Sequence, residues 1–118
     1  MRQRVLLVDD HASFRASARA LLEAEGFDVV ADTGTADEAL AETRRLSPDV
    51  VLLDVRLPDI DGITLAGKLA AITPRPEVVL LSSRGAAVYG DRLREAPVRG
   101  FIAKSDLSGV RLRRMLAG

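Results

Sequence analysis

RVLLVDDH, residues 4–11, runs four apolar residues straight into two adjacent aspartates. Residues 48–54, PDVVLLD, repeat the arrangement with a single aspartate at the end. Apolar runs this short and without polar alternation suit strands buried on both faces of a parallel sheet. Similar runs recur at 27–31 (FDVVA), 78–81 (VVLL) and 101–103 (FIA). The intervening segments carry helical spacing instead: Phe14, Ala18, Leu21 and Leu22; then Ala36, Ala39, Leu40 and Thr43; then Ile63, Ala66, Leu69 and Ala70. A fourth helix falls within GAAVYGDRLREA, residues 85–96, weakened by Gly90 and stopped by Pro97. A fifth carries Leu107, Val110, Met115 and Leu116. Five strands alternating with five helices predict a single (βα)5 unit, an α/β fold whose parallel sheet is covered on both faces.

The 118 residues leave room for one domain, spanning 1–118, with no second folded unit. Lys plus Arg and Asp plus Glu are both 17, so no net charge draws the chain to nucleic acid or to an anionic membrane. Cysteine is absent, which removes disulfide and thiolate chemistry. The first apolar run stops at four residues, where a secretory signal needs about 7–15. Nothing approaches the roughly 18 apolar residues of a membrane span. The expectation is a soluble cytoplasmic protein. Only Lys68 and Lys104 are lysines among the 17 basic residues, so the position of each carries information.

In a sheet of this kind ligands sit beyond the carboxyl ends of the strands, where strand order reverses. Those ends read Asp9 and Asp10, Asp54, Ser82 and Lys104. Three converging carboxylates raise one another's pKa unless a cation is near. Hard oxygen ligands with open positions suit Mg²⁺, which is usually held by a few carboxylates and substrate phosphate oxygens. Singly, each residue has a plainer use: Asp10 as a helix N-cap, Asp54 as a loop residue, Ser82 as a strand-end hydroxyl, Lys104 as a solvated charge. Their joint appearance at one end of four buried strands favours a site. Neither GxGxxG nor GxxxxGK[ST] is present, so dinucleotide and P-loop chemistry lack a phosphate cradle. The acidic DDHASF after the first run disfavours a flavin phosphate. A D-x-D pattern, as in phosphatases of the haloacid dehalogenase kind, is also missing there.

VLLVDDH, PDVVLLDVRLPDIDG, VVLLSS and GFIAKSDL together resemble the receiver domain of bacterial two-component response regulators, over essentially the whole chain. The His after the acidic pair and the D-x-R-x-P pattern are most similar to the NarL/FixJ/LuxR-like branch. The resemblance implies a flavodoxin-like doubly wound sheet of strand order 2-1-3-4-5 that accepts a phosphoryl group in a phosphorelay. It makes Asp54 the phosphoacceptor, with Asp9, Asp10, Asp54 and the backbone carbonyl of Arg56 as ligands of Mg²⁺. Ser82, the backbone of Ser83 and Lys104 would contact the phosphoryl group, and Ser82 and Phe101 would form the switch that alters an output surface on the fourth helix, fifth strand and fifth helix. Phe101 as ordinary core is the simpler alternative.

The implied partners are a sensor histidine kinase and either a separate output protein or a covalently linked helix-turn-helix domain in a longer transcriptional regulator. Homodimerisation is compatible with the family, and direct nucleic-acid or membrane binding by this domain is not expected. Such a domain is not an enzyme on a separate substrate, although it assists its own phosphorylation and dephosphorylation. A phosphorylation-independent binding module is the alternative. Ser105 replaces the proline that often follows the lysine, so a trans bond is expected there. Arg56 and Arg84, two residues past Asp54 and Ser82, are expected to tune phosphoryl lifetime near the path of hydrolytic water. Pro58 would rigidify the loop after Asp54, Gly62 would permit the turn into the third helix, and Asp59 and Asp61 would serve as loop or capping residues. His11 is expected to take no part in the chemistry.

Overall fold

The computed structural model describes residues 2–83 and 89–118. The expectation for Arg84 and the first part of the stretch read as the fourth helix, residues 85–88, lie outside the described residues. The chain alternates β1 (Arg4–Val8), α1 (Ala12–Ala24), β2 (Asp28–Thr33), α2 (Ala36–Leu46), β3 (Val50–Asp54), α3 (Gly62–Leu69), β4 (Glu77–Ser82), α4 (Asp91–Glu95), β5 (Gly100–Ala103) and α5 (Gly109–Ala117). A single 3-10 turn, Lys104–Asp106, joins β5 to the loop before α5. The sheet has the order β2-β1-β3-β4-β5, all pairs parallel, as expected.

Alternation along each buried strand divides the core into two layers. Val5, Leu7, Val50, Leu52, Val79, Leu81 and Ile102 face Ala18 and Leu22 of α1 and Leu112 of α5. The intervening residues, Leu6, Val8, Val51, Leu53, Val78 and Leu80, face Ala36 and Ala39 of α2 and Leu65, Ala66 and Leu69 of α3. Full burial of each such Leu or Val stabilises by roughly 1.5–3 kcal/mol. A one-residue slip of β3 would exchange its two faces, but both are apolar. Its register is instead set by Val50–Leu53 pairing with Val5–Val8 and by Asp54 falling just beyond.

Helix boundaries follow local chemistry. Thr35 caps α2 by accepting from the Glu38 amide at 3.2 Å, with the Glu38 side chain returning to the Thr35 hydroxyl. Asp61 caps α3, accepting from the Thr64 amide at 2.8 Å, and Ser108 caps α5 through the Arg111 amide. Arg4 donates to the Leu46 and Ser47 carbonyls at the end of α2, where Ser47 turns left-handed at φ 48°.

One expected stripe and one helix boundary shift. Val110 is 54% exposed, while Leu112 is fully buried. The reason is that α5 begins at Gly109, so Leu107 lies outside the helical period and the inward face is Leu112, Met115 and Leu116. Gly90 does not interrupt α4 but precedes it, at φ 56°, a conformation that side-chain-bearing residues rarely adopt.

Candidate active site

The sheet order reverses between β1 and β3, so the ends of these strands form the edge of a crevice. β1 delivers Asp9 and Asp10 there. Asp9 is buried, its amide tied to the Thr33 carbonyl at 3.0 Å. Its Oδ1 accepts from the His11 amide at 2.7 Å, and its Oδ2 forms an ion pair with Lys104 Nζ. Asp10 is exposed and does not cap α1, whose N-cap position is His11. The cap alternative for Asp10 is thereby removed.

β3 delivers Asp54, only 4% exposed. Its Oδ1 accepts from the Arg56 amide at 3.0 Å, and its Oδ2 accepts from Lys104 Nζ at 3.0 Å. Burial raises the Asp54 pKa, and the Arg56 amide and Lys104 only partly oppose it, while Asp9 adds to the rise. Burial disfavours charge on Lys104, but its bonds to Asp9 and Asp54 outweigh that and raise its pKa. A single ammonium thus bridges two buried carboxylates. Lys104 also stands 4.6 Å above the Phe14 ring, a cation–π contact from α1.

Asp9, Asp10, His11 and Asp54 each offer a ligand atom, all within 4.8 Å of one another. Three carboxylates with one ammonium leave a net negative pocket of oxygen donors, the set that a hard divalent cation fits. His11, expected to take no part in the chemistry, is exposed at the N-cap of α1, and its Nδ1 is 3.2 Å from Asp9 Oδ1 and 3.0 Å from Asp10 Oδ1.

The remaining predicted residues divide. Ser82 is buried at the end of β4, its hydroxyl 2.8 Å from the Tyr89 hydroxyl. Ser83 and the side chain of Arg56 are exposed. Phe101 is half-buried against the layer of α2 and α3, its ring 6.3 Å from that of Tyr89 at a 51° tilt. Among the described residues the Lys104–Ser105 bond is trans, as the absence of proline predicts.

The loop after Asp54 is held from both sides. Asp61 anchors α3 and accepts from Arg92 at 3.0 Å. Asp59 accepts from the Ala36 and Asp37 amides at 2.9 and 3.0 Å, so it caps α2 from across the crevice. These amides lower the Asp59 pKa; for Asp61, partial burial works upward but Thr64 and Arg92 bring the pKa down. Gly62 is required for a different reason from the expected turn. Its φ is not left-handed, but a Cβ there would strike the Asp54 carbonyl and the Leu53 side chain, because its amide donates to the Val55 carbonyl at 2.6 Å. The contact of Phe14 with Lys104 and the reach of Asp59 to α2 carry no sequence signal, since each joins residues far apart in the chain, and the Tyr89–Ser82 contact depends on the path of the loop between them.

The chain matches the response regulator receiver domain family over residues 5–116. It is 31% identical over 104 residues to chemotaxis protein CheY of Bacillus subtilis, covering 88% of this chain and 87% of that one. It is 36% identical over 102 residues to response regulator GacA of Pseudomonas viridiflava, covering 86% of this chain and 48% of that one. The chain spans about half the length of the first curated relatives it matches. A two-component response regulator of the LuxR family from Aurantimonas sp. SI85-9A1 superposes with a TM-score of 0.86 at 27% identity, covering 99% of this chain and 84% of that one.

Proposed function

The chain belongs to the response regulator receiver domain family, whose members act in two-component phosphorelay signalling, and on that premise we propose that Asp54 is its phosphoacceptor. The observation that carries the reading is the Asp54 carboxylate itself: buried, fixed by the Arg56 amide and Lys104, and facing Asp9 and Asp10. In the transfer, an Asp54 oxygen attacks the phosphorus of a sensor-kinase phosphohistidine, the new O–P bond replaces the N–P bond, and the departing imidazole nitrogen keeps the electron pair and takes a proton. Asp9, Asp10, Asp54 and the Arg56 carbonyl would hold Mg²⁺, which when bound supplies positive charge against the phosphoryl oxygens.

Lys104 keeps its charge and moves from the carboxylate to a phosphoryl oxygen, a role suited to a compact ammonium. Ser82 and the Ser83 backbone receive the other oxygens. Ser82 and Phe101 relay the change to the α4–β5–α5 surface. Arg56 orders water near the acyl phosphate and so tunes its lifetime; the same role for Arg84 rests on sequence alone. The domain assists its own phosphorylation and dephosphorylation without turning over a separate substrate, and it works in the cytoplasm, where the kinase's phosphorylated domain meets it. Among the described residues no helix is long and apolar enough to cross a membrane.

The second reading extends the first. Because the chain spans about half of relatives named as transcription regulators, we place it as the receiver unit, residues 1–118, of a longer regulator carrying a helix-turn-helix domain. Incubation with acetyl phosphate and Mg²⁺, followed by intact mass, tests the central proposal. The expected result is a Mg²⁺-dependent adduct of one phosphoryl mass on the wild type and none on Asp54→Asn. No adduct on the wild type across several small phosphodonors would favour a phosphorylation-independent binding module.

A further inference from the structure

The hydroxyl of Ser82 is in hydrogen-bond contact with a group outside the site. Tyr89 Oη lies 2.8 Å from Ser82 Oγ, with Tyr89 seven residues further on, near the end of the β4–α4 connection. The same ring packs against Phe101. One residue on, Gly90 takes a left-handed φ of 56°, and three residues on, Arg92 bonds Asp61 Oδ2 at 3.0 Å, on the side chain that caps α3. Residues 89–92 therefore form a short strap. One end is tied to the hydroxyl at the tip of β4, the other to the helix that follows Asp54.

We propose that Tyr89 is a positioning residue that latches Ser82: its hydroxyl holds the Ser82 hydroxyl in the resting state and must release it before Ser82 can bond a phosphoryl oxygen. The latch rests on the proposed receiver function. Its physical content is a competition between two partners, the Tyr89 hydroxyl and a phosphoryl oxygen, for one short side chain. The resting bond stabilises the unphosphorylated arrangement, and its loss on activation frees the Tyr89 ring where it abuts Phe101. Both aromatic groups then respond to an event at Asp54 through one hydroxyl. A hydrogen bond of ordinary net strength biases such an equilibrium roughly 2- to 10-fold.

The sequence supplies its own reporter, since Tyr89 is the only tyrosine and tryptophan is absent. Beryllium trifluoride with Mg²⁺ mimics the acyl phosphate, and fluorine NMR reads its binding independently of tyrosine. On the wild type, tyrosine emission is expected to change along the same saturation curve that fluorine NMR gives, with neither signal on Asp54→Asn. Tyr89→Phe is expected to bind beryllium trifluoride roughly 2- to 10-fold more tightly. In a Ser82→Ala background the same substitution is expected to change nothing.

Binding by the wild type without any change in tyrosine emission overturns the latch and leaves the receiver function intact. Unchanged or weaker binding by Tyr89→Phe, or a gain that persists in Ser82→Ala, does the same. The emission measurement uses the unmodified chain and does not depend on how a variant folds. If the wild type fails to bind beryllium trifluoride at all, the receiver function and the latch both fall.

Discussion

Two glycines in α3, five residues apart, should respond to alanine with opposite sign. At Gly62 a Cβ would overlap the Asp54 carbonyl oxygen and a Leu53 methyl and come within 2.9 Å of Val55 Cα. Two of these three neighbours are backbone of the strand end that carries Asp54, so relief requires moving α3 away from β3. Overpacking of this kind costs about 1–3 kcal/mol. At roughly 2.1 cal/mol/K per residue, a 118-residue domain loses close to 4 °C in Tm per kcal/mol, which gives a fall of roughly 4–12 °C. At Gly67, exposed on the same helix, a Cβ meets nothing within 4 Å. Alanine there gains only helix propensity, about 0.5–1 kcal/mol, and a rise of roughly 2–4 °C. Thermal and urea unfolding followed by circular dichroism read both. Gly62→Ala should also slow acquisition of a phosphoryl group from acetyl phosphate, because Asp54 moves with its carbonyl, while Gly67→Ala should not. A neutral or stabilising Gly62→Ala, or a destabilising Gly67→Ala, would refute the close-approach account.

Three further outcomes follow from the charges. Burial raises the Asp54 pKa, so its ionisation opposes folding above its unfolded pKa; Asp54→Asn should raise Tm at pH 7, with the advantage shrinking as pH falls through the folded pKa toward the acid range. Equal gains at pH 7 and pH 4 would contradict this. Lys104→Ala removes the ammonium that pairs with both Asp9 and Asp54 and should cost about 3–5 kcal/mol at pH 7, with Mg²⁺ raising the Tm of the variant more than that of the wild type; a calorimetric scan with and without the metal reads it. Asp59→Ala strips two amides at the start of α2 of their acceptor and should cost about 1 kcal/mol in urea unfolding, less than a buried pair because the site is solvated.

The site displays a conflict between stability and use. Asp9 and Asp54 are buried carboxylates held 3 Å or less from one ammonium, an arrangement that an apolar trio of the same volume would match or better in stability. On the proposed function their retention leaves an excess of negative charge that a cation would offset. Asp10 and His11 stay exposed at its rim, and Asp59 and Asp61 pin the loop that follows Asp54.

Although only the central β1, β3 and β4 are buried on both faces, while β2 and β5, at the sheet edges, are partly exposed, strand-length apolar runs broken by helical spacing were enough to read five strands and their parallel pairing. The reason is that a strand covered on both faces must be apolar at every position, which leaves its first polar residue as a marker of its end. Asp9, Asp10, Asp54 and Lys104 were legible on those terms. What only the tertiary structure decided lies between elements. The Tyr89 hydroxyl on Ser82, the Lys104 ammonium over Phe14 and Asp59 capping α2 each join groups whose meeting depends on how loops close over the sheet. Gly62 shows the same limit within a single motif. Its place after Asp54 is visible in the sequence, but the need for glycine comes from a strand carbonyl already occupying the space where a Cβ would stand.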